Sequence, residues 1–174
     1  MSQYNIYNRV LDNLKPYLQN YQDIIISISG GIDSMVLLHI IESISKYCKI
    51  NIHLFHINYL MHDKSDECEE LCKTIADKNK YYFEIRKIKL LRNNFECKAR
   101  EFRYNELNKY AIKNNINLIL TAHHYDDQIE TIYIRSKQNV DWLSFLGIRY
   151  RYKRILRPLL TTTKKEIVQY AKFY

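Results

Sequence analysis

A pair of glycines between an apolar run and a helical pattern is the feature that most constrains this fold. The run "DIIISI" at 23–28 is short, continuous and β-branched, which favours a strand buried on both faces of a sheet. Gly30 and Gly31 follow it, and the whole chain has only three glycines. Apolar residues then repeat at helical spacing over 37–44. The sequence therefore predicts a tight turn from a buried strand into a helix.

Strand and helix patterns alternate along the rest of the chain. The predicted strands cover 23–28, 50–57, 81–88, 117–122 and 153–157, and the predicted helices cover 5–18, the segment after the glycines, 65–79, 97–114, 126–137 and a last helix opened by Thr163 and Glu166 as a capping box. This order predicts an α/β, Rossmann-like fold with a mostly parallel five-stranded sheet and helices on both faces. In such a sheet, ligands bind beyond the carboxyl ends of the strands, where the strand order reverses.

Length and composition favour one domain over 1–174, in a cytoplasmic protein that does not enter a membrane. No apolar run approaches the ~18 residues of a transmembrane helix, and the polar N-terminus lacks the pattern of a secretory signal. The four cysteines are therefore expected to be reduced thiols. Cys68 and Cys72 would supply one edge of a metal site, but no second pair with zinc spacing follows.

The formal charge of +8 is compatible with a nucleic-acid partner. It is equally compatible with a genome rich in A and T, because the chain is also rich in Asn, Ile and Tyr. The stretch "RYRYKRILR" at 149–157 leaves the same choice open. As a strand it would place Arg149, Arg151 and Lys153 on one face as a track for RNA phosphates, or it would be an edge strand protected by charge.

The glycine turn reads "SGGIDS", residues 29–34, and its residue types suit polyphosphate binding. The glycines expose bare backbone, Ser29 and Ser34 add hydroxyls, and the following helix contributes free N–H groups and the positive end of its dipole. The carboxylate of Asp33 suits a Mg²⁺ ion beside a phosphate. The alternative is a tight strand-to-helix turn with no ligand.

Two later stretches carry further charged residues at helical spacing. In "TAHHYDDQIET", residues 121–131, Asp127 and Glu130 share one helix face and would hold Mg²⁺ or a cationic substrate, or would simply stabilise the helix start. In "CKAREFRY", residues 97–104, Arg100 and Arg103 share a face. They would bind phosphates, or form a solvated pair in which Arg103 bridges to Glu106.

Together these motifs resemble the tRNA(Ile)-lysidine synthetase family of PP-loop ATP pyrophosphatases. The resembling patterns are S-G-G-x-D-S at 29–34, A-R-x-x-R-Y at 99–104, H-H-x-D-D-Q-x-E-T at 123–131 and R-P-L-L at 157–160, followed by Lys165-Glu166-Ile167. The resemblance covers roughly residues 20–174. It implies the N-terminal catalytic domain of that family, without the tRNA-binding domains that often follow it.

The resemblance also implies a reaction and its participants. ATP would adenylate the C2 oxygen of the wobble cytidine in a tRNA(Ile) with a CAU anticodon, and free L-lysine would then displace AMP. The implied ATP-binding residues are Ser29, Gly30, Gly31, Ile32, Asp33 and Ser34. The implied catalytic residues are Asp33, Arg103, Asp127 and Glu130, and the implied Mg²⁺ ligands are Asp33 and Asp127. The oligomeric state stays open, with a homodimer as one alternative.

Two other functions fit parts of the pattern. One is another PP-loop enzyme acting on tRNA, such as a thiolase, although the C-x₂-C pair common in such enzymes is absent. The other is a nucleotide-binding module that keeps the glycine turn and does not turn ATP over. Pyrophosphate release distinguishes this module from an enzyme.

Overall fold

The computed structural model describes residues 3–61, 64–89, 93–138 and 146–174. The helices and strands follow one another as α1 Gln3–Leu18, β1 Asp23–Ile28, α2 Ile32–Ser45, β2 Asn51–Asn58, α3 Lys64–Asn79, β3 Tyr82–Lys87, α4 Phe95–Lys113, β4 Ile119–Leu120, α5 Tyr125–Ser136, β5 Arg151–Tyr152, β6 Ile155–Leu156 and α6 Lys164–Ala171. No helix in these ranges is long and apolar enough to cross a membrane.

The sheet has the order β3-β2-β1-β4-β6-β5, and every neighbouring pair is parallel except β5 with β6. The predicted α/β fold with a mostly parallel sheet is confirmed, but six strands replace the expected five. The chain moves outward from β1 through β2 to β3, and then returns to the other side of β1 with β4. The strand order therefore reverses between β1 and β4, which is where ligands bind in sheets of this kind.

Successive side chains of β1 point to opposite faces of the sheet, and both faces are buried, as expected for parallel strands. Ile24, Ile26 and Ile28 of β1 belong to one buried cluster with α1, α2 and α6. Ile25 belongs to a second cluster on the opposite face, together with Leu107 of α4. Each fully buried side chain of this size contributes about 1.5–3 kcal/mol, so the two clusters hold β1 firmly in place.

The region 149–157 differs from the single strand predicted at 153–157. Arg151–Tyr152 forms β5, a two-residue turn follows, and Ile155–Leu156 forms β6 antiparallel to it. Lys153 has φ of +53°, the left-handed conformation that a two-residue hairpin turn requires. The predicted common face of Arg149, Arg151 and Lys153 does not include Arg151, which lies over the ring of Tyr17, 4.8 Å from its centroid. Arg149 and Lys153 instead both lie near the ring of Tyr152, at 5.6 Å and 5.4 Å from its centroid.

Candidate functional site

The predicted motifs meet at the carboxyl ends of β1 and β4. The glycine turn leaves β1 and enters α2 at Ile32, and residues 121–124 leave β4 and enter α5 at Tyr125. Because β1 and β4 are neighbours in the sheet, the two turns lie side by side. This is the point at which the strand order reverses, so the motifs occupy the crevice that the topology leaves for a ligand.

The glycine turn is closed by its two serine hydroxyls. Ser34 Oγ donates to the carbonyl oxygen of Gly31 at 2.9 Å and accepts from the backbone N–H of Ser29 at 3.1 Å. Since that donation uses the only hydroxyl hydrogen of Ser34, the Ser29 hydroxyl is the donor in the 3.1 Å contact between them. Gly31 N–H in turn donates to Ser29 Oγ at 3.2 Å. The serines therefore preorganise the turn.

The start of α2 keeps its backbone donors available. Gly31 occupies the N-cap position in an extended conformation and provides no side-chain cap. The first N–H groups of a helix have no partner within the helix, and they carry the positive end of its dipole. In contrast, α6 is closed by the predicted capping box, in which Thr163 N–H donates to Glu166 Oε2 at 2.8 Å. The uncapped N-terminus of α2 is thus suited to bind an anion.

The two glycines are required for different reasons. Gly30 has φ of +80°, and a Cβ atom there would lie 2.9 Å from Cβ of Cys68 on α3. Gly31 has an ordinary φ of −80°, and its Cβ would lie 3.3 Å from Ser29 Oγ. The packing of α3 against the turn explains Gly30 without a ligand. It also assigns Cys68 to packing, and no group of three potential ligands for a metal occurs among the described residues.

A cavity of about 180 Å³ opens at this place, and we refer to it as the cradle. Its lining residues come from three predicted motifs and include Ser29, Asp33, Ser34, Arg103 and Asp127. Gly30, Gly31 and Ile32 form the turn at its edge. The structure thus brings together nearly all of the site residues expected from the sequence. Glu130 is the exception, because it is exposed one helical turn further along α5 and does not line the cradle.

Asp33 belongs to the first turn of α2, and its carboxylate is already engaged. Lys164, the first residue of α6, places Nζ 2.5 Å from Asp33 Oδ1. The backbone N–H of Lys164 donates to Asp126 Oδ2 at 2.8 Å, which holds the start of α6 against α5. The sequence patterns did not single out Lys164, although it stands next to the basic residue of the Lys165-Glu166-Ile167 pattern.

His124 lies between the two carboxylates that were predicted as metal ligands. Its imidazole is 3.8 Å from Asp33 Oδ2 on one side and 3.6 Å from Asp127 Oδ2 on the other. Its backbone N–H donates to Asp127 Oδ2 at 2.8 Å, and this contact fixes the Asp127 carboxylate at the start of α5. Two carboxylates therefore face one small cavity. Hard oxygen donors of this kind fit Mg²⁺, which is held by one or two carboxylates together with phosphate oxygens.

His123 lines the cradle as a neutral imidazole. Burial is the largest cause that lowers its pKa, and together with the positive charges of Arg103, Arg157 and Arg100 it brings the pKa from 6.5 to about 3. The hydroxyl of buried Thr121 lies 3.0 Å from His123 Nδ1. At neutral pH this histidine therefore offers a hydrogen bond and carries no charge.

Arg103 points its positive charge at the cradle. Its Nε is buried with no hydrogen-bond partner among the described residues, and the guanidinium lies 5.5 Å from the ring centroid of Tyr104. The alternative bridge to Glu106 does not form, because Glu106 binds Arg86 at 3.0 Å and Lys109 at 2.7 Å. Arg103 is therefore free to bind an anionic ligand in the cradle.

A second cavity of about 260 Å³ continues from the cradle, and Ser29 lines both. Its walls include Ile57, Tyr59 and Phe95, which offer apolar and aromatic surface. His56 also lines it, and its Nδ1 donates to the carbonyl oxygen of Ile28 at 2.9 Å. Since a carbonyl only accepts, the proton is on Nδ1, and Nε2 is left as a buried acceptor with no partner among the described residues. A flat ring with hydrogen-bond donors would suit this cavity.

Comparisons with known proteins agree with this geometry. A family model described as a PP-loop domain matches residues 3–174. A tRNA(Ile)-lysidine synthase of Streptococcus pyogenes is 32% identical over 99% of this chain and 40% of its own length. A tRNA(Ile)-lysidine synthase of Buchnera aphidicola is 39% identical over 84% of this chain and 34% of its own length. The resemblance predicted from the four motifs is therefore confirmed, and the chain spans between about one third and two fifths of the length of these curated relatives.

A solved structure supports the fold alone. The U34-tRNA thiolase NcsA of Methanococcus maripaludis, determined with its [4Fe-4S] cluster, superposes with a TM-score of 0.79 at 16% identity. The superposition covers 97% of this chain and 62% of the thiolase. The order of helices and strands is thus shared with a PP-loop protein of distant sequence.

Proposed function

The chain belongs to the PP-loop family, and from that premise we propose that it catalyses the two steps of tRNA(Ile)-lysidine synthesis. In the first step, the C2 oxygen of the wobble cytidine attacks the α-phosphorus of ATP, and pyrophosphate leaves. In the second step, the ε-amine of free lysine attacks C2, loses a proton and displaces AMP. The observation that carries the proposal is the convergence of Asp33, Arg103 and Asp127 in one cavity beside the uncapped start of α2.

The cradle and the second cavity suit the two halves of ATP. The backbone N–H groups at the start of α2, with the hydroxyls of Ser29 and Ser34, would bind the phosphates. The adenine ring would enter the second cavity beside Tyr59 and Phe95. There the buried Nε2 of His56 would accept a hydrogen bond from the nucleoside. Ser29 stands at the junction, so the α-phosphate would lie at the entrance of the cradle.

Positive charge in the cradle would stabilise the transition state, because the departing pyrophosphate gains negative charge. Arg103 supplies a guanidinium whose Nε is not otherwise bonded among the described residues. Lys164 supplies an ammonium that now contacts Asp33, and a bound phosphate would draw it away from that carboxylate. Asp33 would be left to hold Mg²⁺, which would neutralise the phosphate charge, and Asp127 would stay available for the second step.

Lysine would approach from the side of α5. Asp127 lines the cradle and Glu130 lies one turn further along the helix, so the two carboxylates would receive the cationic amine in succession. The amine becomes a nucleophile only when it has lost a proton. Asp127 is the acid nearest to the reacting centre, and we assign it to the capture and orientation of the amine. Glu130 would attract the lysine before it enters.

The cysteines do not favour the thiolase alternative. Burial, with a smaller contribution from the nearby Cys68, raises the pKa of the Cys72 thiol to about 12, so it is not a thiolate at neutral pH. Cys68 packs against Gly30. Cys72 therefore does not offer the reactive sulfur that transfer to RNA would need.

Release of pyrophosphate in the absence of lysine tests the first step. The purified chain is mixed with ATP, Mg²⁺ and an unmodified tRNA(Ile) transcript that carries the CAU anticodon, and a matched transcript carries GAU. We expect pyrophosphate in proportion to the CAU transcript and none with GAU, because only the former presents a wobble cytidine. ATP binding with no pyrophosphate in either reaction would contradict the proposal and would favour a binding module without turnover.

A further inference from the structure

A third cavity, of about 520 Å³, lies between α4, α5 and the β5–β6 hairpin. We refer to it as the basic cavity, because four arginines line it: Arg100, Arg135, Arg149 and Arg157. None of the described residues that line it is acidic. Concentrated positive charge with a low-dielectric wall attracts anions strongly. The volume lies within the range of small-molecule sites, so it can hold more than a single inorganic ion.

Arg157 is a buried cation of the basic cavity, and its contacts favour an anionic ligand there. Its side chain is almost completely buried, with 5% exposure. Its Nη1 donates to the carbonyl oxygen of Arg149 at 2.6 Å and its Nη2 to the hydroxyl of Tyr104 at 3.1 Å, and both partners are neutral oxygen atoms. Its Nε is buried with no partner in the described part of the chain. A buried guanidinium without a carboxylate is costly, and an anionic ligand would offset that cost.

The basic cavity adjoins the cradle through α4. Arg100 lines the former and Arg103, one helical turn later, lines the latter. Arg157 and Arg100 also act on His123 inside the cradle, where they help to lower its pKa. An anion in the basic cavity would thus lie next to the reacting centre.

The mouth of the basic cavity offers flat surfaces. Tyr152 is exposed on the edge strand β5, and the Arg149 guanidinium lies 5.6 Å from its ring centroid. Unpaired bases of RNA loops stack on aromatic rings and on guanidinium planes, whereas a free inorganic anion uses neither. The combination of arginines and an exposed tyrosine therefore favours single-stranded RNA over a small anion.

We propose that the basic cavity binds the backbone phosphate of a nucleotide that neighbours the reacting cytidine, with the base of that nucleotide at Tyr152. This inference rests on the proposed function for the identity of the reacting nucleotide, but the binding itself does not require turnover. Arg157 binds the phosphate from the buried side of the cavity, and Arg149 binds it from the mouth. The contact orders the RNA loop so that the cytidine enters the cradle.

Binding of a CAU anticodon stem-loop RNA, measured by fluorescence anisotropy at several salt concentrations, tests the inference. Arg149→Gln should raise the dissociation constant roughly tenfold and reduce the salt slope by about one. Arg157→Lys keeps the positive charge but loses the planar guanidinium, so the variant should fold and bind RNA more weakly. The matched control is Arg154→Gln, because Arg154 bonds Asn117 and Asn108 at the amino ends of β6 and β4 and does not line the cavity. It should bind RNA like the unmodified protein.

The outcomes separate this inference from the proposed function. Pyrophosphate release with unchanged RNA binding in both cavity variants would overturn the inference and leave the proposed function standing. Weakened RNA binding in both variants, together with no pyrophosphate release by the unmodified protein, would support the inference and refute the proposed reaction. If inorganic pyrophosphate binds the unmodified protein and loses affinity in the variants while the RNA does not, the cavity is a site for a small anion and the inference is wrong. If the unmodified protein binds no RNA, the inference also fails.

Discussion

The ammonium group of Lys164 lies 2.5 Å from Oδ1 of Asp33, although the two residues are 131 positions apart in the sequence. The pair joins the start of α6 to the first turn of α2 at the edge of the cradle. Both side chains are partly exposed, and an ion pair of this kind contributes about 1 kcal/mol or less to stability. The contact is therefore easily exchanged for one with a phosphate.

Substitution of Lys164 should affect nucleotide binding more than stability. We expect Lys164→Gln to raise the dissociation constant for ATP about tenfold, because a charge-assisted hydrogen bond to phosphate is lost. The free energy of unfolding should change by about 1 kcal/mol or less. Calorimetric titration with ATP and urea unfolding measure the two quantities. Lys165→Gln, at an exposed neighbouring position, is the control. Unchanged ATP affinity would remove Lys164 from phosphate binding.

The two predicted lysine-binding acids should not be equivalent. Asp127 lines the cradle and Glu130 does not, so Asp127→Asn should raise the KM for lysine by tenfold or more, and Glu130→Gln by less. Asparagine keeps an oxygen that can accept the His124 N–H bond, so the start of α5 should remain intact. The KM for ATP serves as the internal reference. A larger effect of Glu130→Gln would place the amine further along α5 than we propose.

The glycine pair should respond unequally to alanine. Gly30→Ala forces a left-handed residue, which costs about 1–2 kcal/mol, and also brings its Cβ within 2.9 Å of Cys68 Cβ. Gly31 has an ordinary φ, and its Cβ would meet only the Ser29 hydroxyl at 3.3 Å. Urea unfolding should therefore show a loss of more than about 1 kcal/mol for Gly30→Ala and a smaller loss for Gly31→Ala. Equal losses would contradict this account of the turn.

Much of the fold follows from local sequence patterns. The run 23–28, the glycine pair and the helix after it form as predicted, because each depends on its own residues. The capping box at Thr163 and Glu166 is likewise a local signal and is confirmed. The β5–β6 hairpin was not predicted because its turn position with positive φ, which glycine or asparagine usually occupies, is held by Lys153.

The candidate site was less accessible to sequence reasoning where contacts are long-range. Asp33, Arg103 and Asp127 were predicted from motifs with recognisable spacing, and the structure places all three in one cavity. Lys164 reaches Asp33 only through the packing of α6, and no periodicity in the sequence reports that contact. Arg157 stands in a stretch that looks like an exposed basic strand, yet the fold buries it. The surroundings of both Lys164 and Arg157 are therefore set by tertiary contacts between segments that are distant in the sequence.

The lowered pKa of His123 predicts how stability depends on pH. Its pKa is about 3 in the folded protein, against 6.5 ordinarily, so between these values the unfolded chain binds a proton that the folded chain does not. The contribution of His123 to the free energy of unfolding is therefore fully present above pH 6.5. It is lost as the pH is lowered toward 3, by up to about 1.4 kcal/mol per pH unit. His123→Gln should reduce that slope by one proton in urea unfolding measured across this range. Parallel curves for both proteins would show that His123 is not held neutral.

Formation of AMP from ATP tests the central claim most directly. The purified chain is incubated with ATP, Mg²⁺, an unmodified isoleucine tRNA with a CAU anticodon and lysine, and each component is omitted in turn. We predict AMP only when both tRNA and lysine are present, and none with Asp33→Asn, whose melting temperature should stay close to that of the unmodified protein. AMP that forms without tRNA or lysine, or ATP binding with no AMP in the complete mixture, would contradict the account.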